Sequence, residues 1–357
     1  MSRKRLLVGL VAASLFAFVG GATILVAENP SASAARTVDR TTSSTSTTAT
    51  TAPPAPSTTT TAAPTPSTTT TAAPAPSTTT TGAPPAPTTT TTARPAPAPA
   101  PATPAVPTVA GPGTVQLLEL PSGDADGKSR EVWVYRPAVP DSADLPVVYL
   151  LHGYPGTDRD VANIDLDGLL DQQFAAGAIP FVVAVPSGQS DIHSDTEWAD
   201  SVDGEVRVES FIVSTVIPAV EGANPRDAAH RAMAGFSMGG YGSANLAEHH
   251  PDLFGQLVSI SGYYHIDDLS GMGADSPAWT DAYSPDRHVA SLAGTRTLLI
   301  VDSQESDPLI KGEGARFAAL QRAAGQTPAF VVAPGTHSWT MVAGQVPTIV
   351  DFLDAGW

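Results

Sequence analysis

An α/β fold is expected, a mostly parallel sheet with helices on both faces and an antiparallel hairpin at its N-terminal edge. Three observations predict it. Short, unbroken apolar runs alternate with stretches long enough for crossover helices, as strands buried on both faces require. Two segments of alternating polarity precede those runs, and a Gly-x-Ser-x-Gly turn sits where one run passes into a helix-compatible stretch.

The first hundred residues of the 357 stand apart. Arg3, Lys4 and Arg5 precede Leu6 to Ala27, which carries no charge, and Ala32-Ser33-Ala34 offers small residues to a peptidase. Residues 1–34 therefore read as a signal peptide or signal anchor, the uncharged run being long enough to span a bilayer. The expected location is exported, either secreted or anchored by residues 6–27 on the outer face of the cell membrane. Residues 35–112 are dominated by Thr, Pro, Ala and Ser, and near copies of one unit begin at Ser57, Ser67 and Ser77. Such a segment has too little apolar side chain to form a core and reads as an extended, disordered stalk.

Residues 113–357 have the length of one catalytic-sized domain. They hold 33 of the 35 acidic residues but only 12 of the 18 Lys and Arg, a field that repels nucleic acid. The chain has no cysteine, so thiol catalysis and thiolate metal sites are excluded. No cofactor and no metal are expected. The domain is expected to be a monomer.

Thr114 to Leu120 and Arg130 to Arg136 alternate around Ser122-Gly123-Asp124-Ala125-Asp126-Gly127, which predicts the hairpin, with Asp124 and Asp126 in a simple turn rather than a calcium loop. Strands are predicted at 147–151, 181–185, 231–234, 257–260, 298–301 and 330–333. Helices are predicted at 161–176, 208–221, 239–250, 315–324 and 342–353, the last interrupted by Pro347. A sheet of this kind opens its ligand crevice at the carboxyl ends of the strands.

Gly235-Phe236-Ser237-Met238-Gly239-Gly240 follows such a run. In this pattern the serine occupies a sharp strand-to-helix turn, flanked by glycines because side chains there would strike neighbouring backbone. Serine needs a base, and the base needs an orienting acid. Among eight histidines, His337 follows the last apolar run, in Thr336-His337-Ser338-Trp339. The acid is sought between Ser237 and His337, in the loop after 298–301. That loop offers Asp302, Glu305 and Asp307; Asp307, a few residues out, is favoured, with Glu305 next, and Asp302 is expected to satisfy local backbone donors. The oxyanion of an attacked ester needs amide donors, expected from Met238 N–H and from Tyr154 N–H in His152-Gly153-Tyr154-Pro155-Gly156, where His152 shapes the turn. Trp198, Tyr263 and Trp339 lie in loops and are expected to line a substrate pocket, with Trp279 and Tyr264 as further loop aromatics.

With these motifs in this order, the domain resembles the α/β-hydrolase superfamily. Within it the likeness is to the esterases that include esterase D, feruloyl and acetyl-xylan esterases and the exported mycolyltransferases, and it covers nearly all of residues 114–357. Thr336-His337-Ser338-Trp339 is similar to the mycolyltransferase histidine loop, and Glu197-Trp198-Ala199-Asp200 falls where that group carries an aromatic segment. The resemblance implies a serine esterase forming an acyl-enzyme on Ser237, with His337 as base and Asp307 at the acid's position. The partner so implied is a small-molecule or cell-wall ester. Two alternatives stand behind this reading: acyl transfer onto a sugar hydroxyl, as in the mycolyltransferases, and a non-catalytic cell-surface binding module, which the long stalk would suit. Where mycolyltransferases hold their sugar with an aspartate and an arginine near the oxyanion turn, this chain has His152 and Pro155.

Overall fold

The computed structural model describes residues 106–140, 144–193, 195–266 and 276–357, all within one compact unit. The expected signal segment lies outside the described residues, as does the stalk up to residue 105. Among the described residues no helix is long and apolar enough to cross a membrane. The reading of an anchored protein on the outer face of a membrane is corrected accordingly: no described helix supplies an anchor, and residues 6–27, on which it rested, are not among those described.

Eight strands form one sheet in the order β1-β2-β4-β3-β5-β6-β7-β8. β1 (Thr114–Pro121) and β2 (Ser129–Arg136) are the antiparallel hairpin, Thr114 facing Arg136 and Pro121 facing Ser129. Its turn is closed by local contacts: Asp126 accepts from Lys128 N–H, and Asp124 pairs with Arg130 at 2.6 Å. β2 runs antiparallel to β4 (Val182–Pro186). From there β3 (Val147–Leu151), β5 (Arg231–Phe236), β6 (Gln256–Ile260), β7 (Arg296–Asp302) and β8 (Ala329–Ala333) are all parallel.

The strand period of two divides the core. Val148, Leu150, Val183, Ala234, Ile260 and Ile300 face α1 (Leu166–Ala175) and α8 (Trp339–Asp354). Val147, Tyr149, Leu151, Ala184 and Met233 face the other way, onto Val208–Glu221 and α4 (Met238–His249). Residues 106–112 also touch the core: Val109 packs against its first half, and Ala110 N–H donates to Ala138 O at 2.7 Å.

Four elements differ from expectation. The predicted 161–176 helix is two, a 3₁₀ turn at Asp158–Ile164 and α1, because Asp165 between them is left-handed at φ 54°. Val208–Glu221 is α2 (Val208–Phe211), a π turn (Ile212–Val216) and α3 (Ile217–Glu221). α8 runs through Pro347 without stopping, its apolar face being buried against the sheet. β8 is not buried on both faces as its run of apolar residues suggests; it is the sheet edge, and Val332 is 58% exposed.

Three further helices add to the cover: α5 (Pro277–Ala282), α6 (Pro285–His288) and α7 (Glu313–Ala323), the last packing Phe317 against Leu257 and Leu299.

Candidate active site

Ser237 joins β5 to α4 and holds φ 61°, ψ −122°, a region L residues rarely enter. Two backbone bonds pin it there: Ser237 N–H donates to Ile260 O at 2.9 Å, and Tyr241 N–H donates to Ser237 O at 3.1 Å. The flanking glycines are demanded by proximity. A Cβ on Gly235 would collide with Gly239 O, and one on Gly239 with Leu151 O. The hydroxyl therefore stands at the carboxyl end of the sheet, with room only on its outer side.

His337 reaches that hydroxyl, its Nε2 2.9 Å from Ser237 Oγ. The loop carrying it is shaped at both ends. Ser303 N–H donates to Ala333 O (2.8 Å) and Gly335 N–H to Ser303 Oγ (3.1 Å), which ties the ends of β7 and β8 together. Beyond the histidine, Ser338 caps α8 by accepting from Met341 N–H at 3.3 Å. The imidazole lies over the Phe236 ring at 4.5 Å between centroids.

The carboxylate behind the imidazole is Asp302, with Oδ2 3.7 Å from His337 Nδ1. Asp302 ends β7, is 1% exposed, and exchanges two bonds with one hydroxyl: Ser261 Oγ donates to its Oδ2 (3.1 Å) and its N–H donates to Ser261 Oγ (3.2 Å). His337 Nδ1 and Asp302 Oδ1 are both buried and have no hydrogen-bond partner, so each retains capacity for the other. The expected acid, Asp307, is elsewhere engaged. It is exposed and its Oδ1 accepts from Leu309 N–H at 2.9 Å, while Glu305 Oε2 accepts from Gly312 N–H at 3.0 Å. Distance from the strand end favours Asp307 in the sequence, but in the fold it is Asp302, the last residue of a buried strand, that the sheet holds beside the imidazole.

Gly153, after β3, lies against the nucleophile; a Cβ there would stand 2.9 Å from Ser237 Cβ. Tyr154 is 51% exposed. Met238 is the first residue of α4, so its N–H has no helical acceptor and sits at the positive end of the helix dipole. His152 is fully buried, its Nε2 accepting from Gly188 N–H at 2.9 Å and its Nδ1 2.9 Å from Gly153 O. Burial lowers its pKa to about 4, which keeps the ring neutral.

The aromatic residues expected around a pocket separate on inspection. Trp198 does not line one: it is fully buried, wedged between Gly188 and Gly242, and its Nε1 donates to His152 O at 3.0 Å. Tyr263 is 5% exposed, stacks on Tyr241 at 4.9 Å and donates to Glu197 in a short contact. Burial, and then the charge of Asp195, raise the pKa of Glu197 to about 8. Trp339 is half-buried with its ring 5.2 Å from Phe236, and Trp279 stacks on Tyr283 at 4.0 Å. Sequence reading gave no role to Glu197 or Ser261, whose signal lies in backbone geometry: both hold positive φ, 48° and 45°.

One group among the described residues could hold a metal ion, His193, Asp203 and Glu205, whose ligand atoms lie within 4.8 Å of one another. His193 Nε2 is already 2.9 Å from Asp203 Oδ2, and both carboxylates are exposed.

Comparison with known proteins bears on the family and the fold. "Esterase Rv1288" of Mycobacterium tuberculosis is 32% identical over 200 residues, 45% of this chain and 42% of its own length. The chain thus spans less than half of that relative. A solved ferulic acid esterase superposes with a TM-score of 0.61 at 23% identity, covering 69% of this chain and all of its own. A structure titled as FphF, a fluorophosphonate-binding serine hydrolase of Staphylococcus aureus, gives 0.55 at 18% identity, covering 68% of this chain and 99% of its own. At those identities the two structures show a shared fold. Residues 124–352 match the family model described as "Putative esterase", and because that stretch is well over half of the 357 residues, the chain belongs to this esterase family of α/β-hydrolase fold.

Proposed function

We propose that the domain is a serine carboxylesterase that forms an acyl-enzyme on Ser237. Ser237 Oγ attacks the acyl carbon of an ester while its proton passes to His337 Nε2; the alcohol leaves with that proton, and water, activated by the same nitrogen, releases the acid. Asp302 orients the imidazole and stabilises it when protonated. The N–H groups of Met238 and Tyr154 bind the oxyanion of each tetrahedral intermediate. The observation that carries this reading is the 2.9 Å contact from His337 Nε2 to a serine held at a strand-to-helix turn.

Membership of an esterase family supports the reaction class, and the name of the Staphylococcus aureus protein supports a serine that fluorophosphonates can modify. Acyl transfer to a sugar hydroxyl would use the same acyl-enzyme and differ only in what attacks it.

The test is hydrolysis of a short p-nitrophenyl ester together with fluorophosphonate labelling. Ser237→Ala should lose on the order of 10⁶-fold in kcat, the scale of removing a triad nucleophile, with no label incorporated. Full activity in that variant would overturn the reading, and a wild-type protein that never labels would leave a binding module instead.

A further inference from the structure

An amide donor must be aimed as well as present, and the turn after β3 contains a device that aims one. Gly153 is the residue packed against Ser237. The peptide joining it to Tyr154 is trans, so its C=O and N–H point in opposite directions and fixing one fixes the other. Gly153 O is held from two sides, by Gly156 N–H at 2.7 Å and by His152 Nδ1 at 2.9 Å.

The tautomer of His152 is forced. Gly188 N–H can only donate, and it stands 2.9 Å from Nε2, so Nε2 accepts and the neutral ring carries its proton on Nδ1. Gly153 O can only accept, which fits. The ring cannot swing away: Trp198 meets it edge-on at 4.7 Å and bonds His152 O, and Thr196 Oγ1 holds Gly188 O at 2.8 Å.

We propose that His152 is a positioning residue for the oxyanion site: by gripping the Gly153 carbonyl through Nδ1–H, it turns Tyr154 N–H toward the oxygen of the ester that Ser237 attacks. The proposal rests on the reading of Ser237 as nucleophile. Burial keeps His152 neutral; of the charged groups acting on it, Asp160 favours the protonated ring and Arg130 opposes it. Protonation would set an Nε2–H against Gly188 N–H and break the grip.

Two replacements separate the ring nitrogens. His152→Asn keeps an amide N–H near the place of Nδ1, whereas His152→Gln puts its amide near Nε2 and leaves Gly153 O without that donor. With p-nitrophenyl acetate, His152→Gln should lose ~10²-fold in kcat, the scale of losing one oxyanion donor, with KM within about twofold. Binding of phenylboronic acid, which forms a tetrahedral adduct on serine, should weaken in parallel with kcat/KM, and His152→Asn should recover at least about tenfold of the loss. Equal loss in both variants, a loss expressed in KM alone, or a folded His152→Gln with unchanged kcat would each overturn the proposal.

If neither variant folds, the wild-type protein answers. Its His152 should give the ¹⁵N signature of a neutral Nδ1–H ring from pH 8 to 5, and boronate addition should shift the Tyr154 amide proton; an unmoved Tyr154 resonance overturns the proposal. Ser237→Ala, assayed alongside, distinguishes the two failures. If it is inactive while His152→Gln behaves as wild type, only the positioning role falls; if it stays active, the nucleophile reading falls first.

Discussion

Ser237 occupies a backbone conformation that costs on the order of 1–3 kcal/mol for a residue with a Cβ, and it persists because β6 and α4 hold it from both sides. The same logic of restraint selects the acid. Asp302 is fixed by the sheet and by Ser261, whereas Asp307 caps a turn in solvent. Asp302→Asn should therefore reduce kcat by on the order of 10⁴-fold, the scale of replacing an orienting carboxylate, while Asp307→Asn should change it by less than about tenfold. Steady-state assays of the two variants decide it, and the reverse ranking would give the role to Asp307. The elbow is legible in the sequence because glycine spacing is itself the signature of close backbone approach. The acid is not, since three carboxylates within six residues differ only in which way a strand end directs them. Trp198 misleads for a related reason: a loop tryptophan looks available to substrate until the small residues Gly188 and Gly242, distant in sequence, are found closing over it.

At the scale of elements, the site depends on where helices begin. α8 starts two residues after His337, and Ser338 caps it, so cap and base share one short loop. Ser338→Ala should cost about 1 kcal/mol of stability, typical of losing such a cap. For a domain of this size that is a fall of roughly 2–4 °C in Tm, readable by calorimetry. An unchanged Tm would mean that packing of the helix against the sheet suffices. The strands were legible as apolar runs because a parallel sheet covered on both faces needs them. The exceptions are physical. β8 carries the same kind of run but has a neighbour on one side only, a fact that strand order determines and composition does not. Pro347 reads as a helix breaker, yet α8 accepts it because burial of Met341, Val342, Val346 and Val350 outweighs one lost hydrogen bond.

Across the whole molecule, an acidic chain buries carboxyl groups in its interior, and this makes its stability depend on pH in a stated direction. Glu248 in α4 is 5% exposed, its Oε1 has no partner, and burial followed by the charge of Asp286 raises its pKa to about 9. Glu197 is raised to about 8. In the unfolded chain both ionise near 4.5. Between that value and the folded ones the native state holds protons that the unfolded state has lost, so stability falls as pH rises from about 5 to about 9. Glu209 works in the opposite sense at the acid end. Burial pushes its pKa up, but hydrogen bonds from His249 and His250 outweigh it and bring the pKa to about 2, so its contribution is present above 4.5 and lost as pH falls toward 2. Glu248→Gln tests the alkaline half, because the amide has the shape of the protonated acid and cannot ionise. The variant should match the wild type in urea midpoint at pH 5 and exceed it at pH 9, with a flatter pH slope between. A variant that is less stable than wild type at pH 9 would show that Glu248 is ionised in the native state and held by a partner, which would reverse the sign of its contribution.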